Sequence, residues 1–220
     1  APPVCSGSDG DSGSFASCPL ETLASQRPIP TESPLAGVLA SDQALDDTRI
    51  ETFSGVSEPI RGVRWWGVEL GASGACARTS DTFEVAFFQA GGGPPGQQVA
   101  LFTVQAAVRA TGAFQAGRPI LQYEAGLPGE VVLSEGRLSI RGVESDGCFF
   151  YWYRSDDGDG IQARLQGDGP PTAATGDMSY CLLPCVPDTG IAEGEGTTEG
   201  EGLVEGVAEG EGLVEGVAEG

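Results

Sequence analysis

Carboxylate oxygen and cysteine sulfur are the reactive groups this sequence offers most plainly. Asp156-Asp157-Gly158-Asp159-Gly160 gathers three carboxylates on turn-forming glycines, and hard oxygen donors of this kind are what Ca2+ takes. The run lacks the spacing of an EF-hand loop and its closing Glu, so the expected ligand set is only Asp156, Asp157 and Asp159. Asp9-Gly10-Asp11 is a weaker second cluster. The chain contains no His, which removes Ser-His-Asp and Cys-His pairs and the commonest general base near neutral pH. Paired carboxylates of the glycosidase type need no His. Glu69, Glu84, Glu124 and Glu144 are available for such a pair, but no spacing singles out two of them. The reading is therefore non-enzymatic, with no cofactor beyond the candidate calcium.

Sulfur points to cross-linking. Cys5, Cys18, Cys76, Cys148, Cys181 and Cys185 form an even set. There is no C-x2-C pair for a structural zinc site; Cys181-Leu-Leu-Pro-Cys185 comes nearest. Disulfides place the chain outside a reducing cytosol. The start at Ala1-Pro2-Pro3, without Met or a charged-then-apolar leader, reads as a processed export substrate. A secreted, extracellular or cell-surface location follows. The preferred pairing is Cys5–Cys18, Cys76–Cys148 and Cys181–Cys185. The alternative bridges Cys5 and Cys18 to Cys181 and Cys185, tying the two ends together.

Charge narrows the partners. The net charge is −21, and all 11 basic residues are Arg. Phosphate backbones and anionic membrane surfaces need basic patches, so nucleic acid and lipid headgroups are not expected partners. No apolar run approaches the roughly 20 residues of a membrane span, so insertion into a membrane is not expected. The absence of Asn and Lys excludes N-glycosylation and Lys–Asn isopeptide cross-links.

The elements that must carry these groups divide into three regions. Residues 1–30 are rich in Ser, Gly, Pro and Asp and read as an N-terminal extension pinned by cysteines. Residues 31–186 read as short strands. The expected strands are 48–53, 63–70, 83–87, 99–108, 120–123, 131–133, 138–140, 148–153 and 178–183. Turn signals at 91–96, 126–129 and 156–160 separate them. The spacing predicts an all-β, antiparallel two-sheet β-sandwich of jelly-roll-like form, with a barrel as the lesser option. Residues 187–220 are a Glu/Gly-rich tail in which Glu201–Gly210 recurs unchanged as 211–220.

Composition alone makes that tail a solvated linker. Laid out as a strand, however, its repeat puts Glu201, Leu203, Glu205, Val207 and Glu209 on one face. The other face, with Gly202, Val204, Gly206, Ala208 and Gly210, is nearly flat. Such a strand can add to an open sheet edge of another copy, with Leu203, Val204, Val207, Leu213, Val214 and Val217 as its apolar contacts. A second binding feature is aromatic: Trp65 and Trp66, and Tyr151, Trp152 and Tyr153 within the 149–153 run. Neighbouring strand residues face opposite ways, so part of each group turns from the core unless another layer covers it. Exposed, these rings would stack on sugars or anchor a subunit contact.

The stretch from about Asp46 to Leu183 resembles secreted bacterial β-sandwich domains of environmental surface proteins. The likeness rests on Val63-Arg64-Trp65-Trp66-Gly67-Val68, Phe83-Glu84-Val85-Ala86-Phe87-Phe88 before a Gly/Pro turn, Leu138-Ser139-Ile140, and Phe149-Phe150-Tyr151-Trp152 followed by Gly158-Asp159-Gly160. Glu-Gly repeats like those of the tail also resemble segments of long secreted bacterial proteins. The resemblance implies export and a jelly-roll-like sandwich, and no activity. The functional expectation is an extracellular structural protein, a subunit of a filament or matrix that assembles with itself through the tail. The alternative is a carbohydrate-binding, adhesive module with the tail as spacer.

Overall fold

The computed structural model describes residues 3–5, 17–143 and 146–187. In chain order the strands are β1 (Ala24–Gln26), β2 (Val38–Ala40), β3 (Asp47–Ser54), β4 (Ile60–Gly71), β5 (Gly74–Ala75), β6 (Thr82–Gln89), β7 (Gln98–Gln105) and β8 (Ala107–Gln115). They continue with β9 (Arg118–Val131), β10 (Glu135–Gly142), β11 (Cys148–Ser155), β12 (Ile161–Gln166), β13 (Thr172–Thr175), β14 (Asp177–Met178) and β15 (Tyr180–Leu183). Alternating apolar residues and Gly-rich turns produce two antiparallel sheets, as the sequence predicts.

The first sheet is organised around β4. On one side β4 pairs with β9, which pairs with β8. On the other side β15 and β11 share its length, flanked by β1 and β2 respectively. The second sheet runs β13-β12-β3-β10-β6-β7. Between them lies the main core: Val63 and Trp65 of β4, Tyr123 of β9, Phe150 and Trp152 of β11 and Leu182 of β15 meet Phe53, Phe83, Phe87, Leu138 and Ile140. Trp65 stacks on Tyr123 with ring centroids 5.7 Å apart, and Phe83 meets Trp65, Tyr123 and Phe150 edge-on. Such contacts add to the burial energy of the rings themselves. Gly67 makes room for this cluster, since a Cβ there would lie 2.2 Å from Phe150 Cε2.

The strand expectations need several corrections. Residues 99–108 are not one strand: the chain breaks at Ala106, passing from β7 in the second sheet to β8 in the first. Residues 131–133 are not a separate strand, because β9 runs continuously from 118 to 131. The Gly126-Leu-Pro-Gly129 turn signal falls inside β9, where the register with β4 jumps between Gly62↔Gly126 and Ile60↔Val131. Pro128, without an N–H to donate, is tolerated at such an irregularity. The sandwich also begins ahead of residue 31, since β1 is hydrogen-bonded to β15 and Ile29 is buried.

Two of the three preferred disulfides are also corrected. Cys76–Cys148 forms as preferred, but Cys5 bridges Cys185 and Cys18 bridges Cys181. The reason is the path of the N-terminal segment, which returns along the strand that leaves the sandwich. Val4 bridges Val186 in parallel, and the Cys5 N–H donates to the Val186 carbonyl at 2.9 Å. The N-terminal segment, the two bridges and the stretch around Ile29 and Ala36 thus lie over the outer face of the first sheet. They make a second core there with Trp66, Val68, Ile120, Tyr153 and Leu183.

Candidate functional site

That covering layer removes the expected aromatic platform. Trp65 faces the main core, while Trp66 faces outward beneath the N-terminal layer. Trp65, Trp66, Trp152 and Tyr153 are all 0 % exposed. Tyr151 is half-buried against the same outer cluster. The four fully buried rings offer no free face to a sugar, so the assignment of Trp65, Trp66, Trp152 and Tyr153 as binding residues is corrected to a packing role. Of the five, only Tyr151 keeps part of its side chain at the surface.

The expected calcium set is corrected too, because its three carboxylates part company. Asp156 is exposed. Asp157 turns to β1's neighbour Arg27, whose backbone N–H and Nε donate to Asp157 Oδ2 at 3.1 and 3.0 Å. Asp159 alone goes to a convergent cluster, where one carboxylate oxygen each from Asp159, Glu51 and Asp177 lie within 4.8 Å of one another. Glu51 comes from β3 in the second sheet and Asp177 from β14 in the first. Their sequence distance from the acidic turn explains why spacing did not find them.

The position of Glu51 is unusual for a carboxylate. It is fully buried on the inner face of β3, accepting the Thr52 N–H at Oε1 (2.7 Å) and the Met178 N–H at Oε2 (2.8 Å). Burial outweighs these bonds and pushes its pKa up to about 8. Asp177 accepts the Gly160 N–H at 2.8 Å. Burial first, and Asp159 to a lesser degree, hold its pKa above the ordinary value against that bond. Beside them lies Gln26 of β1, also buried. Its Nε2 reaches Glu51 Oε1 at 3.5 Å and the Thr52 carbonyl at 3.4 Å, both long contacts, while its Oε1 has no hydrogen-bond partner. Gly158 lets the acidic turn close over this group: a Cβ there would lie 2.4 Å from Asp177 Cγ and 2.8 Å from Gln26 Nε2. A surface pocket of about 530 Å³ opens alongside, lined by Gln26, Phe53, Gly136, Gly158, Asp159 and Tyr180 among others.

The remaining candidate carboxylates have separate partners. Glu84 accepts from Arg141 Nε at 3.0 Å, Glu124 from Arg64 Nε at 2.9 Å, and Glu69 from the Tyr123 hydroxyl at 3.0 Å. Glu144, Asp9, Asp11 and the tail residues Leu203, Val204, Val207, Leu213, Val214 and Val217 lie outside the described residues.

The second feature of interest is the open side of the sandwich. β7 pairs only with β6, and β8 only with β9, so among the described residues each leaves one edge unpaired. On β7, Ala100, Phe102 and Val104 pack inward, whereas Val99 and Leu101 are 41 % and 49 % exposed. Phe114 on β8 is 59 % exposed. The apolar run of Val99–Val104 was visible in the sequence, but neither its alternating burial nor its place at a sheet edge was. No family model matches this chain, and neither does any curated protein or solved structure.

Proposed function

We propose that this chain is a non-enzymatic, extracellular structural protein of jelly-roll-like form that assembles with itself, the tail of one copy adding as a strand to the sandwich of the next. The observation that carries this reading is the unpaired edge of β7 with Val99 and Leu101 turned outward. Long edges with apolar side chains are templates for another strand, and isolated proteins usually blunt them with charge or Pro. β7 has eight residues and neither a charge nor a Pro among them. The tail's ten-residue repeat is of similar length, and its alternation offers one row of glutamates interleaved with Leu203 and Val207 and one nearly flat, uncharged row. Donor and acceptor on the same chain make a heterologous contact, which propagates as a filament unless it closes into a ring. The three disulfides suit an oxidising, extracellular setting.

Electron microscopy of the purified chain, with and without residues 191–220, tests this directly. Filaments or rings that disappear on truncation are the expected result. Single particles in both samples would overturn strand addition.

A further inference from the structure

We propose that Glu51, Asp159, Asp177 and the side-chain oxygen of Gln26 form a site for a divalent cation of calcium's size, clasping the two sheets at the pocket end of the sandwich. Three observations carry it. The first is donor geometry. Two oxygens bound to one Ca2+ at about 2.3–2.6 Å can be at most about 5.2 Å apart, and the three carboxylate oxygens lie within 4.8 Å of one another. Mg2+ demands near-ideal octahedral geometry and gives up water reluctantly, which favours the larger ion at a site built from protein oxygens.

The second observation is independent of the acids. Gln26 is 6 % exposed, and its amide oxygen has no hydrogen-bond partner. A buried orphan of this kind is uncommon in a folded protein. The amide atom nearest the acids is Nε2, 3.5 Å from Glu51 Oε1 and 2.8 Å from where a Gly158 Cβ would lie; turning the amide about its last bond exchanges that nitrogen for the unpartnered oxygen. An amide carbonyl is one of the neutral oxygens that complete a calcium shell. The third observation is charge. Among the described residues no arginine ion-pairs with Glu51, Asp159 or Asp177, although Asp42, Asp47, Glu84, Glu124, Glu130 and Asp157 each have one. A buried carboxylate ordinarily has a cationic partner. Here the partner is an ion from solution, reaching the group through the pocket that Asp159 and Gln26 line.

Bound there, the ion would join β3 of the second sheet to β1 and β14 of the first and to the β11–β12 turn. This is a structural role, and it does not depend on assembly through the tail.

The test is calcium titration by calorimetry, with thermal melting alongside, on the full chain stripped with chelator. Asp159→Asn is the chosen variant because Asp159 is exposed and its loss leaves the core intact. Asp156→Asn is the control, an equally exposed acid outside the cluster. Expected are one saturable site per chain, at least tenfold weaker Mg2+ binding, and a melting temperature that rises with calcium. Asp159→Asn should weaken calcium binding at least tenfold and Asp156→Asn should leave it unchanged. Gln26→Met, close in volume but without the carbonyl, should also weaken it. Equal binding by wild type and Asp159→Asn would overturn the proposal. So would calcium binding that vanishes when residues 191–220 are removed, since the nine Glu of that tail would then be the binders.

Discussion

Glu69 on β4 illustrates how a single buried acid couples this fold to pH. It accepts the Tyr123 hydroxyl and the Arg78 backbone N–H, both at 3.0 Å, yet burial dominates and raises its pKa. Arg78 and Asp81 are the charged groups that act on it, the first lowering and the second raising the value. A folded-state pKa above the unfolded value of about 4.3 means the folded chain binds more protons above that pH. Stability therefore falls as pH rises from about 4.3 through the raised value, and the loss is complete beyond it. Glu69→Gln removes the charge; its amide oxygen can keep the Arg78 N–H, while its NH2 donates to the Tyr123 hydroxyl oxygen in place of the bond now accepted. Its melting temperature relative to wild type should be higher at pH 8 than at pH 4; a difference constant with pH would show that Glu69 ionises freely. At this scale the sequence was legible wherever side chains alternate, as in Val63-Arg64-Trp65-Trp66. It was not legible where a partner comes from far along the chain. Trp66 is covered by Ile29 and Cys181, and Asp159 meets Glu51 more than a hundred residues away.

At the level of elements, strands with strong alternation were easily found, as β3, β6, β10 and β11 show. The missed ones, β1, β2, β5, β12 and β13, are two to six residues long. Strands that short bury too few side chains to leave a period, and pairing with neighbours defines them instead. β7 and β8 were merged because Ala106 between them is as apolar as Val104, Ala107 and Val108 around it, and no Gly or Pro marks the change of sheet. That junction places two unpaired edges on one side of the molecule. The paired substitution Val99→Glu with Leu101→Glu charges the β7 edge against an acidic strand while sparing the inward Ala100, Phe102 and Val104. Exposed positions tolerate such changes within about 0.5 kcal/mol. The melting temperature should barely move, while self-association, followed by light scattering, should be lost. Unaltered association would assign the contact to another surface.

For the whole molecule, the three disulfides are nested: Cys5–Cys185 encloses Cys18–Cys181, which encloses Cys76–Cys148. Loop-entropy reasoning then makes their contributions unequal and dependent on one another. Alone, a bridge spanning more than 150 residues restrains the unfolded chain by about 5 kcal/mol. With Cys18–Cys181 closed, Cys5–Cys185 closes only the short remaining loop and adds about 3 kcal/mol. Replacing Cys5 and Cys185 by Ser should therefore cost about 3 kcal/mol in denaturant unfolding. Removing both outer bridges should cost clearly more than twice that figure, and equal increments would contradict the nested account. The sequence identified six cysteines that pair as disulfides. Cys76–Cys148 was legible, and the outer pairing was legible only as the alternative that ties the two ends together, because nearness along the chain favoured Cys5 with Cys18 and Cys181 with Cys185.

The outermost bridge also decides what a pull on the two ends of the sandwich would meet. Tension applied through the segments before Cys5 and after Cys185 enters and leaves by one covalent link, without crossing a single sheet hydrogen bond. With the Cys5–Cys185 bridge closed, a pull applied at these two points bypasses the sandwich, whereas with the bridges reduced its strands would stand in series with the pull.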